Sequence, residues 1–500
     1  MRTIPFWIDS APIKRFPALR TNINVDVLVI GAGITGITTA YLLKKTGVTI
    51  GLIERERVAS IDTGHTTAHL TFITDTQLHE LADNFGNDHA QAAWDAGAAA
   101  IDEIERIVQE EEIQCEFTRA PGYLHACVNG FSEVEISSLE KEARLAAKLG
   151  FDATYLERVP YFSVPGVHFP NQAKFHPRKY LRSLVMKIPG NGSHVFEKSA
   201  VTEFDSRHRA KVKGYSINFD RVVMATNNPL VGLASITSAT LLQTKLSLYT
   251  SYAIGARVRS ETIPEAMFWD TRDPYDYLRL DRQRGFDYVV YGGEDHKTGQ
   301  KRKTEKAYAR LLARLKKIIP DAQVDHRWSG QIISTPDGLP YIGENAEHQF
   351  IATGFCGNGI TFGTISAMMA LDWATGRKNP WSDLFAVDRK RLKATWNYLR
   401  ENKDYPYYMI KDRIARPEAD SVGKLKRGAG MIIGSRGKKI AAFRDRNGKL
   451  HKLSPVCPHL GCHVRWNPAE STWDCPCHGS HFKPNGEVIA GPAEVALRPL

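Results

Sequence analysis

The residues with the most specific metal-binding chemistry lie near the C-terminal end of the chain. Two short segments, CPHLGCH from Cys457 and CPCHGS from Cys475, each combine two cysteines with histidine. Thiolate sulfur and imidazole nitrogen are zinc ligands, so Cys-His pairs from two loops could chelate zinc. The same set could instead hold a [2Fe–2S] cluster, with two cysteines on one iron and two histidines on the other.

The extra cysteines favour the cluster over zinc. Cys462 and Cys477 are left over, one in each segment. The two can be joined, and closing a loop of about 15 residues would stabilise the fold by ~3 kcal/mol in the chain-entropy model. Zinc ribbons need no such pair. His451, His463 and His481 fall outside the pattern, and we expect their side chains to be exposed to solvent.

A second motif lies near the N-terminal end, in the run VDVLVIGAGITG that starts at Val25. Gly31, Gly33 and Gly36 form G-x-G-x-x-G directly after an apolar, β-branched segment. The three glycines permit a tight turn, a close approach of pyrophosphate to the backbone, and close helix–strand packing. Glu54, 18 residues after Gly36, ends the next predicted strand, where a carboxylate accepts hydrogen bonds from an adenosine ribose. The pattern predicts a dinucleotide-binding βαβ unit.

Three later turns are rich in small and hydrogen-bonding residues. The GHTT turn, residues 64–67, could reach cofactor phosphates, although a helix cap explains these residues equally well. The ATNN turn, residues 225–228, ends a buried strand, where ligands of open α/β sheets bind. The glycine-rich turn TGFCGNG opens a helix whose N-terminus can stabilise the negative charge of a reduced flavin. The expected cofactor contacts in these turns are Thr66, Thr67, Ala225, Thr226, Gly354, Gly357, Asn358, Gly359 and Ile360.

Composition and charge exclude several classes of protein. The net charge is +11, from 66 basic and 55 acidic residues, and the basic residues are scattered, so we expect no nucleic-acid partner. No run of 18 apolar residues occurs, so we expect no membrane span. The N-terminal segment lacks the apolar core of a signal peptide, which predicts a cytoplasmic location. Four of the seven cysteines crowd near the C-terminus, as in a metal site and unlike a secreted disulfide framework.

The intervening sequence predicts the elements that position these motifs. Apolar periodicity predicts helices over Asp88–Glu112, Ser132–Leu149 and Glu305–Ile319. Alternating residues predict a β-rich insertion over 245–295. The segment 376–422 is polar and contains several prolines, and its sequence has helical character near Arg389–Glu401.

The inserted sheet also carries candidate catalytic residues. Tyr249, Tyr252, Tyr277 and Arg279 could line a substrate pocket, with packing within the sheet as the alternative. Cys356 lies in the glycine-rich turn, where it could have a redox or covalent role or simply be a small residue in a tight turn.

The C-terminal segment resembles the Rieske domain of the disulfide-containing, cytochrome-bc type, because CPHLGC and CPCHGS match its two boxes. The resemblance implies that Ser480 donates a hydrogen bond to a cluster sulfide. Phe482 stands where the family often has tyrosine. The resemblance also implies iron ligation by Cys457 and Cys475 on one iron and by His459 and His478 on the other, with a Cys462–Cys477 disulfide.

The first 380 residues resemble the D-amino-acid-oxidase-like FAD family of glycine and sarcosine oxidases. The matching segments are GAGITG, ATNNP, TPDGLPYIG and TGFCGNGITFG. The resemblance implies bound FAD and places Val201, in a short strand, at the adenine end. The implied fold is a Rossmann-like α/β FAD-binding domain with a β-rich α+β substrate domain and a small all-β Rieske domain. The expected ranges are 23–75, 171–235 and 325–380 for FAD binding, 76–170 and 236–324 for the helical and substrate part, 381–422 for a connecting arm, and 423–500 for the Rieske domain.

The motifs together predict an FAD-dependent dehydrogenase that oxidises a small amine or amino-acid-like substrate. Electrons would leave singly through the Rieske cluster to an unknown one-electron acceptor. An oxygenase would need a separate site of two histidines and one carboxylate, and no convincing set occurs. The remaining alternative is an electron-transfer flavo-iron–sulfur protein that supplies a partner oxygenase, although the insertion over 236–324 has the size of a substrate domain.

Overall fold

The structure is a computed structural model of the 500-residue chain, and it describes all residues except 206–207, 231, 390–399, 401–403 and 436–437. The helices, α1 to α11 in chain order, are Phe6–Ser10, Ile34–Lys45, Leu78–Phe85, Asn87–Glu110, Glu133–Lys148, Pro177–Val185, Ile236–Thr244, Glu305–Ile318, Gly359–Ala374, Ser382–Phe385 and Asp404–Ile414.

The strands, β1 to β24 in chain order, are Ile23–Ile30, Ile50–Ile53, His69–Leu70, Thr118–His125, Thr154–Leu156, Gly166–Lys174, His194–Phe196, Glu203–Asp205, Arg209–Val212, Tyr215–Met224, Ser247–Val258, Met267–Asp270, Tyr277–Gln283, Phe286–Lys297, Gln323–Ser334, Tyr341–Ala346, Gln349–Thr353, Ala429–Ser435, Lys438–Arg444, Leu450–Leu453, Arg465–Asn467, Thr472–Asp474, His481–Phe482 and Val488–Ala490.

The first large sheet carries the nucleotide-binding motif. Its strand order is β16-β17-β10-β1-β2-β7, with β9 and β8 added beside β10. The central pairs β10–β1 and β1–β2 are parallel, as expected for apolar strands covered on both faces. Helices α2 and α9 pack against each other beside this sheet. This is the predicted Rossmann-like arrangement.

The second large sheet contains the inserted strands. Its order is β15-β11-β14-β13-β12-β4-β6-β3, with β5 beside β6, and α8 packs against β11 and β14. The proposed division of the chain at 171 and 325 falls inside β6 and β15, so these two strands are shared between the FAD-binding and substrate parts.

The C-terminal part consists of two small antiparallel sheets, β18-β19-β20 and β21-β22-β23-β24. Their core contains the buried side chains of Cys457, Trp473 and Phe482. From α11, Tyr405 and Met409 pack against this core. The all-β prediction for this part is confirmed.

Most local predictions agree with the structure. The predicted helices correspond to α4, α5 and α8, and the β-rich insertion corresponds to β11–β14. The helix expected near Arg389–Glu401 falls almost entirely outside the described residues. Val201 lies in an irregular segment between β7 and β8, so its expected strand is wrong. Among the described helices, none is long and apolar enough to cross a membrane.

Candidate active site and metal centre

A cavity of about 560 Å³ opens at the carboxyl ends of β1 and β10 and extends to the second large sheet. This size and position are typical of cofactor and substrate sites in α/β folds. We call this cavity the cleft. Its wall is built mainly from residues 30–35, 53–75, 199–202, 225–230, 251–253, 269–277, 328–333, 355–360 and 489–495.

The glycines of the first motif shape the turn between β1 and α2. Gly31 has a φ of +100°, and a Cβ there would collide with the carbonyl oxygen of Ala225. A Cβ at Gly36 would collide with the carbonyl of Gly31, so this glycine serves close packing. Gly33 borders the cleft, and the adjoining Ile34 N–H donates to Thr63 Oγ1 at 3.0 Å. The turn therefore leaves an open cradle for a pyrophosphate beside the start of α2.

Glu54 lies at the end of β2 and faces the cleft. Its carboxylate accepts hydrogen bonds from the N–H of Ala32 at 2.9 Å and of Glu56 at 2.7 Å. Burial raises the pKa of this carboxyl. The position matches that of a ribose-binding carboxylate, and Val201 also lines the cleft.

Two further predicted turns border the cleft. Thr66 and Thr67 line it, but no helix starts at either residue; a 3₁₀ turn over Asp62–His65 precedes them. Thr66 Oγ1 accepts a hydrogen bond from the N–H of Ala68 at 2.9 Å, so its hydroxyl closes a local turn. Ala225 and Thr226 line the cleft at the end of β10.

The glycine-rich turn lies between β17 and α9. Gly357, Asn358, Gly359 and Ile360 line the cleft, whereas Gly354 does not. A Cβ at Gly359 would meet no atom of the described residues within 4 Å. The first N–H groups of a helix have no partner within the helix, so this end offers donors and a positive dipole to a cofactor.

Cys356 lines the cleft, but its sulfur is held by the turn. The thiol donates to the carbonyl of Gly354 at 3.2 Å and accepts from the N–H of Thr335 at 3.4 Å. Burial raises the pKa of Cys356 to about 11. The thiolate is the reactive form, so a thiol at neutral pH favours the packing interpretation over a redox or covalent role.

The four candidates of the inserted sheet separate in space. Tyr277 lines the cleft, and its hydroxyl is 2.8 Å from Ser251 Oγ. Tyr249 instead borders a separate, smaller pocket beside the turn that follows β15. Tyr252 packs on the opposite face of β11 against His296 and Tyr308.

Arg279 is buried and lies outside the cleft. Its guanidinium binds Asp281 and the carbonyl oxygens of Ala68 and Phe175. A buried arginine with these partners stabilises the fold. The positions of Arg279, Tyr249 and Tyr252 therefore do not support the pocket role that was expected for them.

Sequence reasoning missed several residues of the cleft. Asp75 and Tyr275 line it, and the Tyr275 hydroxyl donates to Asp75 Oδ2 at 3.1 Å. Ser251 and Gln331 line it from β11 and β15. Asp75 shortly precedes a helix, so in the sequence it has the appearance of an ordinary capping residue.

The predicted cluster ligands converge in the C-terminal part. A hydrogen bond from Cys475 lowers the pKa of Cys457, so the two sulfurs are neighbours. The rings of His459 and His478 lie 5.0 Å apart between centroids. His459 Nε2 and His478 Nδ1 are buried without a hydrogen-bond partner among the described residues. Two adjacent sulfurs and two orphaned imidazoles fit a [2Fe–2S] cluster of the Rieske type.

The surroundings of the ligands also fit this chemistry. Cys462 and Cys477 form a disulfide, so neither is available as a ligand. Burial lowers the pKa of both His459 and His478 to about 4, which keeps the imidazoles neutral, as metal ligation requires. Ser480 is fully buried and hydrogen-bonds with Cys457.

His481 is buried, which corrects the expectation that it is exposed; His451 and His463 are half-buried. His481 lies with Glu470 and Asp474 in a polar group, where the Rieske part contacts the second large sheet. Both carboxylates already accept hydrogen bonds from protein donors: Asn467 donates to each, and Ser329 donates to Glu470. These bonds satisfy both carboxylates, while Nε2 of His481 is buried without a hydrogen-bond partner among the described residues.

The predicted cluster ligands lie in two loops, residues 457–463 and 475–480, which we call the first and second cluster loops. The second cluster loop packs directly against the second large sheet, which forms part of the cleft wall. Gln331 Nε2 donates to the carbonyl of Gly479 at 2.9 Å, and Gln300 Nε2 donates to the carbonyl of Pro476 at 3.1 Å. A Cβ at Gly479 would collide with Leu248 of β11. Because Gln331 also lines the cleft, one side chain joins the cleft to the residue next to His478.

Fold and sites together define an FAD-dependent oxidoreductase that carries its own Rieske domain. The chain belongs to the FAD-dependent oxidoreductase family DAO, whose model matches residues 26–373, and residues 418–500 match the Rieske [2Fe-2S] domain model. The protein therefore binds FAD and a Rieske [2Fe–2S] cluster, as the sequence predicts.

Individual relatives agree with this assignment. A Bacillus subtilis (strain 168) protein named as a Rieske 2Fe-2S iron-sulfur protein, YhfW, is 32% identical over 99% of this chain and 96% of its own length. Gamma-glutamylputrescine oxidoreductase of Escherichia coli (strain K12) is 22% identical over 69% of this chain and 82% of its own. Glycine oxidase from Geobacillus kaustophilus has a similar fold, with a TM-score of 0.61 and 17% identity over 74% of this chain and 100% of that chain.

Phe482 provides a test of the cluster environment. It is fully buried in the core that contains Cys457 and Cys475. We expect Phe482→Tyr to raise the reduction potential by tens of millivolts, because a hydroxyl that donates to a ligand sulfur favours the more negative, reduced cluster. A difference of about 1 kcal/mol between redox states corresponds to about 40 mV for one electron. A redox titration followed by EPR measures the shift.

Phe443→Tyr is the matched control, since this half-buried ring stacks on Trp466 at the edge of the same core. Its potential should stay unchanged. A Phe482→Tyr protein with full cluster content and an unchanged or lowered potential would show that the new hydroxyl does not reach a ligand sulfur.

Proposed function

We propose that this protein is a dehydrogenase of small amines or amino-acid-like compounds, with electrons leaving one at a time through the Rieske cluster to a separate acceptor. When bound, FAD accepts two electrons as a hydride and the cluster passes electrons singly, so the pair converts two-electron into one-electron chemistry. The names of gamma-glutamylputrescine oxidoreductase and glycine oxidase support the substrate class.

The observation that carries the electron route is the contact of Gln331. Its side chain borders the cleft and donates to the backbone of Gly479, one residue after His478. The Rieske part also supplies residues 489–495 to the wall of the cleft. An exit route through a docked cluster explains why a complete Rieske domain packs on the cleft wall.

Of the four candidates in the inserted sheet, Tyr277 lines the cleft, and we assign substrate contact to it. Its hydroxyl and Ser251 Oγ form a polar pair on the wall that faces the nucleotide-binding turns. Burial raises the pKa of Tyr277 above its ordinary range, so its phenol stays protonated and can donate a hydrogen bond.

Anaerobic spectroscopy tests this function. Small amines and amino acids are added to the holoenzyme without oxygen, flavin bleaching is followed by absorbance, and the reduced cluster is followed by EPR. The proposal expects bleaching by at least one amine, followed by a reduced-cluster signal. Bleaching by NADH or by a reduced partner protein, and by no amine, would instead support the electron-transfer flavo-iron–sulfur protein.

The variant Gln331→Leu tests the electron route. It removes the hydrogen bond that links the cleft wall to the loop of His478, so we expect cluster reduction to slow several-fold relative to flavin reduction in a stopped-flow single turnover. Gln300→Leu is the matched control, because Gln300 donates to the same loop without lining the cleft. Equal slowing in both variants would indicate general loosening of the loop and would argue against a route through Gln331.

A further inference from the structure

The far end of the cleft contains a carboxylate that faces the expected flavin site. Asp75 lines the cleft, and a Cβ at Gly357 would collide with its Oδ2 atom, so the carboxylate lies against the glycine-rich turn before α9. The Tyr275 hydroxyl donates to the same oxygen at 3.1 Å. Asp75 is therefore positioned beside the backbone that is expected to contact the reactive part of the cofactor.

A second carboxylate lies behind this wall. Asp295 of β14 hydrogen-bonds with Ser251, which lines the cleft, and its Oδ1 atom is buried without a hydrogen-bond partner in the described part of the chain. Its negative charge acts on Asp75. Neither carboxylate forms an ion pair with a lysine or arginine that the structure describes.

The cations of the cleft are already engaged. Arg55 and Arg57 follow Glu54 at the nucleotide end, where Arg55 donates to the carbonyl of Ile489 and Arg57 pairs with Glu197 at 3.1 Å. Arg272 binds two carboxylates, those of Asp270 and Asp276. Arg57 and Arg272 are paired with carboxylates, and Arg55, which is held by a backbone carbonyl, lies at the nucleotide end of the cleft.

We propose that Asp75 binds the ammonium group of the substrate, with Asp295 adding negative potential, so that the cleft selects cationic amines and does not depend on a substrate carboxylate. This inference rests on the proposed function and names its substrate class. An ammonium ion would supply the cationic partner that neither carboxylate has among the described residues, since Asp75 is exposed to the cleft and Asp295 is half-buried behind it.

The titration of these groups gives the binding a predictable pH dependence. Desolvation within the cleft raises the pKa of Asp75 and of Asp295 to about 7, so both carboxyls lose their charge as the pH falls below that value. The other titratable groups that act on Asp75 are Tyr275, Tyr277 and Cys356, and burial raises the pKa of each well above neutral pH. The negative charges of Asp273, Asp276 and Glu294 help to raise the pKa of Asp295. Alkylamines stay protonated throughout, so their affinity should fall about tenfold between pH 8 and pH 6.

Equilibrium binding to the holoenzyme tests the proposal. Perturbation of the flavin spectrum gives Kd values for propylamine, butylamine and hexylamine, each beside the alcohol and the carboxylate of equal chain length. The amine should bind at least tenfold more tightly than its carboxylate. Asp75→Asn should weaken amine binding at least tenfold and leave alcohol binding unchanged. Asp220→Asn, which removes one exposed carboxylate on β10, should behave like the parent protein.

Tyr275→Phe covers the case in which Asp75→Asn does not fold. It removes a hydrogen bond that lowers the pKa of Asp75, so amine affinity at pH 7 should fall several-fold. Tighter binding of carboxylates, failure of all three amines to bind, or unchanged amine affinity in the folded variants would overturn the proposal. The assay needs no turnover, so Asp75-dependent binding without flavin bleaching would support this site and contradict the dehydrogenase function.

Discussion

The variant Cys475→Ser should contain no cluster while it keeps its FAD, and its turnover with a one-electron acceptor should fall at least a hundredfold. Cys475 is buried in the second cluster loop, where it is a predicted ligand, and serine does not replace a thiolate that holds iron. Substrate should still bleach the flavin, because the cleft keeps its wall. Iron content, EPR and steady-state turnover with a one-electron acceptor measure the three effects.

Cys127→Ser is the matched control, since Cys127 is a half-buried free cysteine far along the chain from both cluster loops. It should keep iron, flavin and turnover. Unchanged turnover in a cluster-free Cys475→Ser protein would mean that electrons leave the flavin by another path.

The variant Gly33→Trp should lose FAD while it keeps the Rieske cluster. Gly33 precedes α2 and borders the cleft, and a Cβ there already comes within 2.9 Å of Thr63 Oγ1. An indole at this position would fill the cradle where a pyrophosphate approaches the backbone. We expect FAD affinity to fall at least a hundredfold, or about 3 kcal/mol. Flavin absorbance after gel filtration and the EPR signal of the cluster provide the two readings.

Gly423→Trp controls for the bulk of the indole. A Cβ at Gly423 meets only Ser421 Oγ, at 3.6 Å, and lies outside the cleft. This variant should retain FAD. Stoichiometric FAD in Gly33→Trp would show that the turn does not hold the pyrophosphate.

The sequence by itself determined the two cofactor motifs. Gly31, Gly33 and Gly36 lie within one short turn, and the four predicted cluster ligands lie within two short loops. Covalent geometry limits how far the residues of such loops can separate. A βαβ unit also sets the distance from its first turn to Glu54. Local patterns therefore carry this information, and the long helices α4, α5 and α8 follow from periodicity for the same reason.

Tertiary structure alone decided which side chains share the cleft. Strand residues alternate between faces, and the pairing of β11 with β14 shifts register between Thr250 and Tyr252, where β14 carries an extra residue. Ser251 reaches the cleft, while Tyr252, the next residue of the strand, packs on the opposite face. A bulge of this kind depends on the pairing of distant strands, and the sequence of one strand does not specify it.

Asp75, Gln331 and His481 show the same limit. In the sequence, Asp75 looks like an ordinary residue before a helix. Its position in the cleft depends on its contact with Gly357, in a turn almost 300 residues later in the chain. Gln331 and His481 lie where the Rieske part docks on the second large sheet. Such contacts join segments far apart in sequence, so burial and partners at these positions are decided by the packing of complete domains and by no local pattern.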